Sequence, residues 1–250
     1  MTEANPNSQE PFGEPAAGAT GTSQAHPIPP RQQPHERAFE LGFESLVSHE
    51  PSAGHLEALG AGRLGGVIGL PALHRQLLVD TNAREVNVEH AGRARRAWAI
   101  LALHYLCADD VSSDAREVSL GHFADSRGYL DVFAKRIIKR FLGTVGRTAQ
   151  QFEERSHELG ATRVPSTGVC YRFDVFPRVP IMIVRYEGDD ELGPGANVIY
   201  RADAEHLLPA EDRVVIAELL LDTLSGKPIE EDPVILSAAK NLRDSSLRSE

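Results

Sequence analysis

Two cysteines in 250 residues give little scope for covalent or metal-clamped architecture. Cys107 and Cys170 stand far apart and form no CxxC pair, so neither a disulfide framework nor a self-contained zinc or iron–sulfur site is implied. Both read as small buried apolar residues. Long apolar runs are also missing. A membrane-spanning helix needs ~18 or more such residues, whereas the best stretch, 98–106, is short and directly follows Arg93, Arg95 and Arg96. No basic start with a continuous apolar run, the mark of a signal peptide, opens the chain, so the expected compartment is the cytosol. Positive charge is scarce as well: 26 Lys and Arg stand against 36 Asp and Glu, a net charge of −10. Generic nucleic-acid binding needs the opposite balance, so no nucleic acid and no membrane is expected as a partner.

Familiar catalytic spacings are absent too. The ten histidines form no HxH, HExxH or HxxxH pair, and no serine sits in a GxSxG elbow. His104 falls on an apolar helix and reads as a hydrogen-bonded core histidine. A formal GxGxxG does occur, from Gly60 through Gly62 to Gly65. In a dinucleotide fold those glycines follow a strand and open a helix aimed at the pyrophosphate. Here 55–59 is not strand-like and Gly66 with Val67 and Ile68 starts no good helix, so the segment reads as a flexible loop.

What the chain does contain is one core with two unlike ends. Residues 1–35 hold seven prolines among Gly, Ser, Gln and Ala, too little apolar surface to offset the entropy of ordering, and are expected to be disordered. Phe39, Phe43 and the Leu46–Val47 pair recur at helical spacing across 36–48. A Gly-rich break at 54–66 precedes short Val/Ile/Leu stretches at 67–70, 73–79 and 85–89, which predict a small antiparallel meander. Residues 91–108, with Ala94, Ala97, Trp98, Leu101 and Tyr105, predict a central buried helix, followed by a short extended piece at 117–120. Helices are expected at 129–142 and 148–159, the second closed by Gly160. Residues 169–176 alternate as a half-buried strand, 181–186 are nearly all apolar, and 197–200 form a further strand. Pro209, with Glu211 and Asp212 behind it, opens a helix to Leu224 that Gly226 closes. The expected fold is therefore α+β: a mixed, mainly antiparallel sheet packed with several helices in one domain over 36–226. Residues 227–250 read as a flexible tail, in which 233–248 resemble the translated product of an interspersed genomic repeat.

Two clusters could carry chemistry. Glu187, Asp189, Asp190 and Glu191 place four carboxylates within five residues, and Glu211 with Asp212 adds two more at the helix start. Hard cations favour such oxygen clusters, yet the spacing is no EF-hand loop and acidic turns also serve turn geometry and solvation. One alternative is thus a metal-dependent enzyme using this turn, with Asp189 and Glu191 as ligands or acid–base groups. The other is a structural turn. Lys135, Arg136, Lys139 and Arg140 share one face of the 129–142 helix, opposite its apolar side, and Arg147 follows. That face is either a solvated surface or an anchor for an anionic ligand or partner.

The stretch 177–224, PRVPIMIVRYEGDDELGPGANVIYRADAEHLLPAEDRVVIAELLLDTL, resembles an uncharacterised bacterial and archaeal family numbered 3786 among the domains of unknown function. The features that carry the likeness are Pro177 and Pro180 before the strand, Tyr186 ahead of the turn from Gly188 to Glu191, and the helix start from Leu208 to Asp212. The likeness extends back through the helix bearing Trp98 and Tyr105. Family members tend to have Trp, Phe and Asp where this chain has Tyr186, Leu192 and Arg201, and the last change removes a carboxylate near the acidic turn. Some relatives are fused to, or occur near, iron–sulfur and corrinoid proteins. With no cluster motif in this chain, any such link would be to a partner protein; the resemblance supplies no established activity, and the cofactor is unknown. The expectation is a non-catalytic binding or accessory module for a cofactor-bearing protein or a small anionic ligand.

Overall fold

Two helices supply the central layer of this computed structural model, which describes residues 33–189 and 191–231. The first, Arg96–Leu106, buries eight of its eleven residues, as its apolar girth requires. The second, Ala210–Leu224, runs antiparallel to it, because His104 meets Asp212 at one end while Arg95 meets Asp222 at the other. Pro209 is the N-cap of this helix, with Glu211 and Asp212 in its first turn. In chain order these helices are α3 and α8.

Helix α1 (Gln33–His49) lies on α3, where an added Cβ on Gly42 would come within 3.0 Å of Leu103. It starts ahead of the expected boundary, so 33–35 are helical, while residues 1–32 lie outside the described residues. Phe39, Phe43 and Leu46 are buried, with the two rings packed edge to face at 4.9 Å. Val47 is 55% exposed, because it lies one step round the helix from Leu46.

A short helix, α2 (Ala53–Ala58), follows, capped by Ser52, whose hydroxyl accepts from the His55 amide at 3.2 Å. The first sheet is a five-stranded antiparallel meander: β1 (Gly62–Leu64), β2 (Val67–Ala72), β3 (Arg75–Asp80), β4 (Glu85–Val88) and β5 (Gly92–Arg93). The GxGxxG segment thus leads from a helix into a hairpin, the reverse of a dinucleotide loop. Gly65 turns that hairpin at φ +61°, and Gly60, at φ +73°, has no space for a Cβ because Pro177 lies against it.

The second sheet has the order β6 (Glu117–Ser119), β10 (Gly195–Arg201), β9 (Val179–Tyr186), β8 (Val169–Phe176), β7 (Thr162–Val164), all antiparallel. Tyr171, Phe173 and Val175 face the core as their alternation predicts, and Cys170 joins Met182 and Val184 on the other face. An irregularity between Asp174 and Phe176 shifts the register, and Phe176 is buried as well, edge-on to Trp98. The sheets meet where the Leu73 amide donates to the Asp174 and Val175 carbonyls, both at 3.1 Å.

Helix α6 (Ala149–Glu158) is capped by Thr148, and α7 (Ala204–Leu207) leads into α8. Between β6 and β7, α4 (Leu130–Phe133) and α5 (Arg140–Gly143) flank a π-helical turn, Ala134–Lys139. Past Gly226 the chain stays on the domain through Glu231: Ile229 is buried, its carbonyl accepts from Arg95, and the Glu231 amide donates to Arg93. The remaining tail, 232–250, lies outside the described residues. Within the described residues no helix is long and apolar enough to cross a membrane.

Candidate functional site

The acidic turn joins β9 to β10, and one of its carboxylates, that of Asp189, bonds the turn's own backbone. Asp189 Oδ1 accepts from the amides of Glu191 at 2.9 Å and Leu192 at 2.7 Å, while the Asp189 amide donates to the Leu192 carbonyl at 2.8 Å. These donors hold the Asp189 carboxyl below the usual carboxylate range. Gly188 is required, since a Cβ would stand 2.7 Å from the Leu192 oxygen. Glu187 points back to Arg185, whose Nη1 donates to it at 2.5 Å. Arg185 is itself buried, and its Nε and Nη2 donate to the carbonyls of Gly146 at 2.8 Å and Arg147 at 3.3 Å. Glu191 is exposed, and Asp190 lies outside the described residues.

The helix-start carboxylates go elsewhere. Glu211 is exposed, whereas Asp212 is buried, with Oδ2 at 2.6 Å from His104 Nδ1. That hydrogen bond raises the His104 pKa above its ordinary value, against the opposing effect of burial and with help from the charges of Asp212 and Glu211. The arrangement fixes the ring and leaves Nε2 as its free nitrogen. No hydroxyl or thiol among the described residues hydrogen-bonds to Nε2. No hydrogen bond or ion pair among the described residues links Glu211 or Asp212 to the turn, and no group of three His, Cys, Asp or Glu side chains among them could hold a metal ion.

The basic face is divided by α8. Arg140 pairs with Asp222, and Arg136 Nη1 approaches Glu218 at 3.9 Å. Lys135 and Lys139 are exposed and make no ion pair among the described residues. Asp222 also takes Lys227 Nζ at 3.1 Å and Arg95 Nη1 at 3.5 Å, so three cations share one carboxylate. Burial opposes its ionisation, but the bonds from Arg140 and Lys227 outweigh that and hold the carboxyl below its ordinary range. Arg95 and Lys227 were missing from the sequence-based candidate set. The adjacent Arg95 and Arg96 ahead of an apolar helix were the available signal.

Two further buried clusters serve the fold. Asp203, fully buried, binds Arg201 at 2.5 Å and Arg178 at 3.3 Å. Arg213, also fully buried, pairs with Asp125, donates to Ser126 at 3.0 Å and to the Leu208 carbonyl at 2.6 Å, and stands over the Phe123 ring. Both cysteines are free thiols, with pKa values pushed up by burial; Cys170 is buried, whereas Cys107 is only partly so.

A family model described as a domain of unknown function (DUF3786) matches residues 55–223. No curated protein and no solved structure matches the chain.

Proposed function

The chain belongs to the DUF3786 family, and from that premise we propose that it is a non-catalytic binding module that engages an anionic partner on the side formed by α4, the π turn, α5 and the end of α8. The carrying observation is the local reversal of charge. Arg136, Arg140, Arg95 and Lys227 pair with Glu218 and Asp222, and Lys135 and Lys139 stand exposed on the π turn with Asp131 one turn before Lys135, in a chain whose net charge is −10. Such a patch raises the local concentration of anions and steers them in.

The π turn supports the same reading. π-helical turns are uncommon in globular proteins and recur at functional sites, and Ala134–Lys139 carries three of these cations. The acidic turn favours binding over catalysis, because Asp189 is committed to backbone amides and Glu187 to Arg185. The partner on this reading is a cytosolic cofactor-bearing protein presenting an acidic surface, or a small anion, and the working unit is the single domain, extended from the expected 36–226 to 33–231 so that it includes Lys227.

The test is fluorescence anisotropy of labelled poly-glutamate titrated with the full chain. The wild type should bind saturably and weaken as salt rises. The Lys135→Glu/Lys139→Glu variant should lose at least tenfold in affinity with unchanged thermal stability. Equal binding by the two proteins would sink the reading.

A further inference from the structure

Beside the basic face lies a cleft of about 380 Å³, bounded by Thr144, Arg147, Gln151, Arg155 and Ser225. It opens where three elements end: α5 at Gly143, the start of α6, and the end of α8 at Leu224. Its lining holds two arginines and no carboxylate. The cleft bounded by Glu40, Glu85 and Glu231 sets those three acids against Arg84, Arg93 and Arg96, and the one bounded by Glu50 and Asp109 holds acids and no arginine.

We propose that this cleft binds a small organic phosphate, with Arg147 and Arg155 taking the phosphate group. The proposal rests on the anion-binding reading above for the sign of the ligand and adds its chemical class and place. The two guanidinium groups are held in different ways. The backbone carrying Arg147 is fixed by buried Arg185, which donates to the carbonyls of Gly146 and Arg147. The Arg147 side chain makes no hydrogen bond or ion pair among the described residues and is free for a ligand. Arg155 is oriented by its Nε bond to the Leu224 carbonyl at 2.9 Å and by its Nη1 pairing with Glu158, which leaves Nη2 uncommitted among the described residues. Arg155 can therefore donate from Nη2 alone, whereas Arg147 keeps its whole planar fork for the paired oxygens of a phosphate.

The volume bears on the size of the ligand. At about 30 Å³ per water molecule, the volume corresponds to roughly a dozen waters, more than a bare phosphate ion occupies. It falls at the small end of ligand sites, which run from about 300 to 1,000 Å³. Gln151, exposed at the rim, offers an amide to a hydroxyl or carbonyl of the organic part.

The experiment is isothermal titration of the full chain with phenyl phosphate, inorganic phosphate and phenol. Phenyl phosphate should bind saturably and at least fivefold more tightly than inorganic phosphate, and phenol should not bind. Arg147→Ala should weaken phenyl phosphate tenfold or more. So should Gln151→Glu, which places a carboxylate in the cleft; this second variant keeps the test decisive if the first fails to fold. Absence of saturable binding, or unchanged binding in Gln151→Glu, overturns the proposal, and equal affinity for inorganic phosphate overturns its organic part. Lys135→Glu/Lys139→Glu separates the two readings. If phenyl phosphate fails while poly-glutamate still binds the wild type and not this variant, the cleft falls and the basic face stands. If phenyl phosphate binds the wild type and this variant alike but not Gln151→Glu, the cleft stands alone.

Discussion

His104 and Asp212, 108 residues apart in sequence, meet at 2.6 Å and pin the end of α3 to the start of α8. A histidine whose pKa is raised in the folded state stabilises the fold most when it is protonated. Its contribution is complete below the unfolded value of about 6.5 and is lost as pH rises through the folded value. Thermal melts from pH 5.5 to pH 9 should therefore show a falling limb that begins above about pH 6.5 and is flattened in His104→Gln. Asp212→Asn should cost about 1.5–3 kcal/mol near pH 6, and less at pH 9. A pH profile identical in wild type and His104→Gln would show that the pair does not couple the helices.

Asp222 should govern the acidic limb. Its folded carboxyl lies below the ordinary range, so its stabilisation is present above about pH 4 and is lost as pH falls through the folded value. Asp222→Ala leaves Arg95, Arg140 and Lys227 without their shared counter-charge. The expected loss is of order 3 kcal/mol at pH 7 by chemical denaturation, as for other broken buried pairs. A loss under about 0.5 kcal/mol would mean that solvent already screens the cluster.

The acidic turn should behave as a turn. Asp189→Ala should lower the melting temperature, since two amides lose their acceptor, and Asp189→Asn, which keeps an oxygen there, should lie close to wild type. Magnesium and calcium should shift neither protein. Stabilisation of the wild type but not of Asp189→Asn by either cation would restore a metal role to the turn.

Two glycines should respond in opposite directions. Gly60→Ala forces a side chain into φ +73° and against Pro177, and should cost about 1–3 kcal/mol. Gly54→Ala, inside α2 with nothing near the new methyl, should stabilise by about 0.5–1 kcal/mol. Denaturant midpoints moving the same way in both would contradict the backbone account.

The elements legible in the sequence are those whose signal is local. The alternation from Val169 onward gave β8 its two ends, and Pro209 with two acids marked the start of α8. The three-residue β1 and two-residue β5 carry no period of their own and exist through their neighbours in the meander. Helix α2 was hidden by the glycines around it, although Ser52 was a readable cap. The π turn leaves no mark in a pattern read at 3.6 residues per turn. The candidate site was legible as an inventory of charges. Their partners were not legible, because Asp212 answers to His104, Asp222 to Arg95 and Arg213 to Asp125, each across more than eighty residues.

Arg185 ties two distant surfaces into one mechanical unit. One end of its guanidinium grips the peptide that bears Arg147, and the other is neutralised by Glu187 at the hairpin tip. One buried guanidinium thus satisfies both the carboxylate that opens the β9–β10 turn and the backbone carbonyls ahead of α6, although Glu187 and Arg147 share no bond of their own.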